Sequence, residues 1–216
     1  MAVDFYALSG SPFSWKVWLA LEYLGVPYRL TMLSADAGDL KSASFLTLNP
    51  RGKVPVLVDD GFVLAESDAI LDYLSETFGD AGRTLWPVGI RERAYARQVM
   101  LEATNYIYPA VRKLVVEVIM RRNEPPDIPV VDEALTALVR ELAGLEIRLR
   151  RPFLGGDTPG GVDFAVYPLL AICRRVTARS KVPAAADLSG PVTLAWMERI
   201  ERLDFFPKTY PPHWKS

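Results

Sequence analysis

Cysteine and histidine are nearly missing from this chain, with one of each in 216 residues. The lone Cys173 excludes an internal disulfide and fits a reducing compartment, so the expected location is the cytoplasm. With His213 the sole imidazole, a zinc site of the usual composition cannot be assembled, and no metal is expected. Catalysis by a serine–histidine pair would have only His213 to draw on, and that residue is expected to sit exposed in the tail. Excess charge is missing too. Lys and Arg number 25 against 26 Asp and Glu, a net charge of −1, so no basic footprint argues for nucleic acid. No apolar run approaches the roughly 20 residues that cross a bilayer. Met1-Ala2-Val3-Asp4 lacks the basic start of a signal peptide, so neither membrane insertion nor export is expected.

The order of elements is informative. Val3 to Leu8 reads as a strand, broken by Ser9-Gly10-Ser11-Pro12. Phe13, Val17, Ala20, Leu21 and Leu24 then follow a helical stripe that Gly25 closes. Ser11 is placed to cap this helix, and Pro12 occupies the first turn, where a missing N–H costs nothing. A second strand is expected over Pro27–Leu33 and a short helix over residues 40–48. Val54–Val58 and Phe62–Leu64 flank Asp59-Asp60-Gly61, a hairpin signal because the turn needs positive φ. Pro55 cannot donate to a ladder, so it belongs at the head of its strand, a place that also suits a cis peptide. Ser67 reads as the N-cap of a helix reaching Phe78.

After Phe78 no strand signal remains and no repeat is visible. Gly79–Arg83, with Pro87 and Gly89, reads as a linker. Residues 91–121 have helical period, with Pro109 expected to kink or end the helix near Tyr108. Asn123–Pro129 is expected to be a loop. Residues 131–150 carry a stripe of Leu135, Leu138, Val139, Leu142, Leu145 and Leu149. Asp163 to Val176 is an apolar central helix, residues 192–203 a further one, and the tail is aromatic and irregular. The expected division is 1–79, a linker over 80–90, and an all-helical domain over 91–216.

Three segments in this order, Ser11-Pro12-Phe13-Ser14-Trp15-Lys16-Val17, Asn49-Pro50-Arg51-Gly52-Lys53-Val54-Pro55-Val56-Leu57 and Glu66-Ser67-Asp68-Ala69-Ile70, resemble the soluble glutathione transferases. The resemblance implies an α/β thioredoxin-like N-terminal domain, a mixed four-stranded sheet flanked by helices, joined to an all-α C-terminal domain. It implies glutathione as co-substrate, a hydrophobic electrophile as second substrate, and a homodimer. Val54, beside Pro55, would bind the cysteinyl backbone of glutathione, as an extended peptide meets a strand edge. Glu66 and Ser67 would hold its γ-glutamyl end, a carboxylate facing the ammonium and a helix start facing the carboxylate. Lys41 and Lys53 would face the glycine carboxylate.

Ser11 lines up with the thiolate-stabilising serine of the serine-type classes. A thiol pKa falls from about 8.5 near a helix start and a hydrogen-bond donor, and Ser11 would supply both. Ser9, Ser14 and Tyr6 are the competitors for that role, and a cap whose oxygen is occupied by the N–H of Phe13 or Ser14 is the purely structural alternative for Ser11. Phe13, Tyr106 and Trp214 are expected to wall the electrophile pocket. Ser14-Trp15-Lys16-Val17 is also similar to the Ser-Trp-Arg-Val of the isomerase-containing zeta class. Glutathione-dependent isomerisation or thiolytic cleavage (dehalogenation, ether cleavage) is therefore an alternative activity, and a non-catalytic carrier retaining the fold a second alternative.

Overall fold

A computed structural model describes residues 2–80, 82–121, 124–179 and 188–214. The first unit begins with strand β1 (Val3–Leu8), whose alternate residues Val3, Phe5 and Ala7 are buried. Helix α1 (Pro12–Leu24) returns the chain so that β2 (Tyr28–Leu33) lies parallel to β1. A short 3₁₀ turn over Asp39–Lys41 and helix α2 (Ala43–Leu48) lead to the hairpin of β3 (Val56–Asp59) and β4 (Phe62–Ala65). Asp60 and Gly61 have φ of 46° and 82°, the positive values that a two-residue turn matched to strand twist requires. The sheet order is β2-β1-β3-β4, with β3 antiparallel to both neighbours. Helix α3 (Ser67–Phe78) follows, burying Ile70, Leu71 and Leu74.

The unit continues to Trp86 and is rejoined by the chain from Leu203 onward. Leu85 and Trp86, expected in the linker, are buried. The C-terminal stretch, expected with the helical domain, packs here because its aromatics find Trp15. Helix α9 (Phe206–Thr209) and a 3₁₀ turn over Pro212–Trp214 surround that indole. The Trp15 Nε1–H donates to Thr209 Oγ1 at 3.1 Å, and the rings of Phe206, Tyr210 and Trp214 stand 6.1, 6.1 and 5.3 Å from it.

The second unit, residues 87–202, is helical. Helix α4 (Ile90–Glu102) widens into a π-helical turn over Ala103–Ile107 before α5 (Tyr108–Leu114). Pro109 explains the widening, since a proline interrupts the i→i−4 ladder and a π turn re-registers it. A second π turn covers Val115–Met120. Helix α6 (Ile128–Arg148) starts earlier than expected, because Asp127 caps it by accepting from the Val130 N–H, and Pro129 fits its first turn. Asn123 lies outside the described residues. Val139, expected in the buried stripe, is 54% exposed, while Val131 and Ala134 take the buried face. Helices α7 (Gly161–Arg179) and α8 (Pro191–Glu201) complete the unit.

Asp163, in the first turn of α7, is fully buried. Its carboxylate accepts from the Leu154 N–H (2.8 Å), the Gly160 N–H (3.0 Å) and the Trp196 indole N–H (2.8 Å). Burial outweighs those donors and pushes its pKa up to about 6. Cys173 is buried in α7, and the same loss of water raises its thiol to about 12, which keeps it protonated and inert. Among the described residues no helix is long and apolar enough to cross a membrane.

Candidate functional site

Strand register gathers the three sequence segments at one end of the sheet. Tyr6 pairs with Val56, and Val56 with Ala65. Continuing the same registers sets Leu8 level with Val54, and Pro55 level with Glu66. The turn after β1, the segment before β3 and the start of α3 therefore share one edge of the first unit.

The turn after β1 is tightly organised. The Ser11 N–H donates to Leu8 O at 3.1 Å, and Gly10 has φ of 80°, the left-handed value that makes the reversal possible. Ser11 caps α1 with its Oγ accepting from the Ser14 N–H at a long 3.3 Å. Its hydroxyl hydrogen is a separate donor, so capping does not use it up. The first turn of α1 contains no acidic residue, which leaves the positive end of the helix dipole unopposed.

The three competitors are differently engaged. Ser14 is buried, with its Oγ accepting from the Leu8 N–H at 3.3 Å. Tyr6 stands in β1 with its ring 6.2 Å from that of Phe45. Ser9 Oγ lies 2.6 Å from His213 Nδ1. His213 is exposed, as expected, yet it holds the loop that carries Ser11.

Val54 and Pro55 are joined by a cis peptide, and β3 begins only at Val56, so Val54 stays outside the strand pairings. Asn49, almost fully buried, shapes the approach. Its side-chain amide donates to Lys53 O at 2.7 Å and its carbonyl accepts from the Arg51 N–H at 3.1 Å. Gly52 (φ 59°) comes so close to Leu40 that a Cβ on it would stand 2.8 Å from Leu40 O. Lys41 and Lys53, the sequence neighbours of Leu40 and Gly52, are both exposed.

The start of α3 corrects one expectation. The N-cap is Glu66, not Ser67, because the chain turns out of β4 at Glu66 with φ of 69° and its carbonyl accepts the first helical bond from Ile70. Ser67 becomes the first helical residue and is buried, while Glu66 is exposed. Positive φ in a non-glycine residue is strained, and the Glu66 side chain makes no capping hydrogen bond to the helix it precedes.

Sequence reasoning quoted Lys16 within a motif but gave it no role of its own. It is 2% exposed on α1, paired with Asp68 in the first turn of α3, with its ammonium 5.4 Å from the Phe13 ring centroid. Burial lowers its pKa, and Asp68 and then Glu66 pull the other way. The available signal was a single charge inside the apolar run Phe13–Leu21. Of the pocket expectations, Phe13 is half-buried at the start of α1, and Trp214 is half-buried with its indole nitrogen 3.8 Å from where a Gly10 Cβ would lie. Tyr106 belongs to the second unit, 56% exposed in the π turn.

Comparison with known proteins follows the same division. Residues 10–77 match a family described as glutathione S-transferase, N-terminal domain, and residues 128–203 match glutathione S-transferase, C-terminal domain. The chain is similar to glutathione S-transferase 3 of Zea mays, 30% identical over 210 residues that cover 94% of this chain and 91% of the relative. It is similar to maleylacetoacetate isomerase of Dictyostelium discoideum, 32% identical over 166 residues covering 74% of each. Among solved structures, a glutathione S-transferase from the Antarctic clam Laternula elliptica aligns with a TM-score of 0.83 at 27% identity, covering 100% of this chain and 95% of that one.

Proposed function

The chain belongs to the glutathione S-transferase family, a glutathione-dependent enzyme acting on hydrophobic electrophiles, and on that premise we propose that it is a serine-type member in which Ser11 stabilises the thiolate. The observation that carries this reading is the gathering of the Ser9–Ser11 turn, Val54–Pro55 and Glu66–Ser67 at one end of the sheet. Glutathione lies along the Val54 main chain as an added strand, with its γ-glutamyl ammonium toward Glu66 and the neighbouring carboxylate toward the Ser67 end of α3. Lys41 and Lys53 supply charge for the glycine carboxylate. The thiolate then faces the start of α1, where the Ser11 hydroxyl donates to it and the helix dipole favours negative charge. Ser14 is turned inward and Tyr6 is packed in the sheet, which leaves Ser11 the best placed of these hydroxyls.

In the conjugation step the sulfur lone pair attacks the electrophilic carbon. The leaving group departs with the bonding electrons, and the thiol proton has already been lost to solvent. Phe13 and Trp214, both half-buried, are the apolar surfaces that the first unit offers to the electrophile. The working form is a homodimer in the cytoplasm; family resemblance and the exposed apolar side chains of Phe62 and Val63 on β4 support the dimer.

Titration with glutathione, followed by conjugation to 1-chloro-2,4-dinitrobenzene, tests the reading together with Ser11→Ala. The substitution should lower turnover by roughly one to three decades while glutathione affinity stays within several-fold, because the lost contact is made to the thiolate. Undiminished turnover would move the role to Ser9, Ser14 or Tyr6. The isomerase named among the relatives favours a second reading, glutathione-dependent isomerisation of maleylacetoacetate. Turnover of maleylacetoacetate without consumption of glutathione would establish it.

A further inference from the structure

We infer that His213 is a positioning residue for the Ser9–Ser11 turn, acting through Ser9 on the hydroxyl that meets the thiolate; the inference rests on the reading of Ser11 given above. The imidazole reaches this turn from more than two hundred residues away, and two contacts define how it is held. Its Nδ1 lies 2.6 Å from Ser9 Oγ. Since a hydroxyl both donates and accepts, the bond forms with either tautomer of the ring. The ring edge also lies against the α-carbon of Gly10, where a Cβ would stand 2.8 Å from Cε1 and 3.2 Å from Nε2. Ser9 is thus bonded, Gly10 covered, and Ser11 tied back to Leu8 by its own N–H.

His213 itself sits on a firm support. The Trp214 N–H donates to Pro211 O at 2.9 Å, and the Trp214 ring stands edge-on to Trp15 and 5.8 Å from Tyr210. Thr209, fully buried, receives the Trp15 indole N–H. Pro211 and Pro212 restrict the backbone just before the imidazole, so little conformational freedom is lost in presenting it. One exposed hydrogen bond contributes little to global stability. Its value lies in geometry, because a displacement of about 1 Å at a reacting group lowers rates by up to about a hundredfold. The turn is short and Gly10 is permissive, so an outside brace is what keeps the Ser11 hydroxyl aimed.

The test uses the full chain with glutathione and 1-chloro-2,4-dinitrobenzene, comparing His213→Ala, Ser9→Ala, the double variant, His213→Asn and Ser11→Ala. Each single change at Ser9 or His213 should lower kcat roughly five- to twentyfold and leave the glutathione KM within about twofold. The double variant should be no worse than either single one, since both remove the same contact. His213→Asn, whose amide reaches Ser9 from the Nδ1 position, should restore most of the rate. The ultraviolet absorbance of bound thiolate, titrated with pH, should move to higher pH in His213→Ala, a readout that loss of packing alone would not shift. Undiminished kcat in His213→Ala, multiplicative losses in the double variant, or failure of Asn to restore activity would overturn the inference. If His213→Ala does not fold, Ser9→Ala and His213→Asn still decide it. A collapse in Ser11→Ala with no effect at Ser9 or His213 overturns this inference alone, whereas full activity in Ser11→Ala overturns the thiolate assignment beneath it.

Discussion

Lys16 in the first unit and Asp163 in the second are both buried ionisable groups, and their surroundings differ in kind. Asp163 is enclosed by neutral donors from the loop at Leu154, the cap at Gly160 and helix α8 at Trp196. It joins three segments of its own unit and looks at no other charge among these partners. Lys16 has a charged partner, Asp68, whose side chain is still 34% exposed and stands in the first turn of α3 beside Ser67. One group is a knot that holds helices together; the other stands at the start of α3, where we propose that a ligand carboxylate docks. Buried charge surrounded by neutral donors serves the fold, and buried charge that shares a half-open pair at a helix start is free to serve a ligand.

That contrast can be broken most sharply at Asp163. Asp163→Ala strands three donors, two backbone N–H groups and an indole, so unfolding in urea should show a loss of about 3–5 kcal/mol. Glutathione affinity of the molecules that remain folded should not change. A loss below about 1 kcal/mol would mean the knot is not what holds this unit. The titration of the same group gives a smaller effect with a definite sign. Its folded pKa is raised from 3.8 to about 6, so between those values the folded chain keeps a proton that the unfolded chain has released. The associated stability is complete below about pH 4 and lost as the pH rises through about 6, on the order of 3 kcal/mol. Wild-type stability measured relative to Asp163→Asn should therefore decline across that window; a rise would reverse the assignment of burial as the dominant cause.

The smallest effect is expected at Lys16. Lys16→Met keeps the apolar stem and removes the ammonium, and Asp68 can rehydrate through its exposed side. Stability should shift by no more than about 1 kcal/mol. The glutathione KM should rise roughly three- to tenfold, because the start of α3 loses its tie to α1. A large loss of stability with an unaltered KM would put Lys16 in the same class as Asp163.

Local signals accounted for much of the first unit. Asp59-Asp60-Gly61 specified a turn because its backbone demands are met by those residues alone, and Ser11-Pro12 marked a helix start for the same reason. Segments whose placement depends on distant partners were not legible. Nothing in the tail between Phe205 and Trp214 indicates that it will surround Trp15, because aromatic residues are equally at home in either core. Lys16 could be seen as a lone charge among apolar residues, but its partner lies 52 positions away. Glu66 displaced Ser67 as the cap because the turn out of β4 needed a residue at positive φ, a tertiary demand that preference for serine at caps does not register. His213 was visible as the only imidazole, while its seat beside Ser9 depended on the whole intervening chain.

The return of the chain at Leu203 has a consequence for biosynthesis. Translation delivers the sheet and α1 first, but the side chains that shield Trp15 emerge only after the entire helical unit has been made. Until then the nascent first unit carries an uncovered indole on α1. The first unit is therefore completed only once Phe206–Trp214 has been made, and removing that segment would uncover Trp15 in α1.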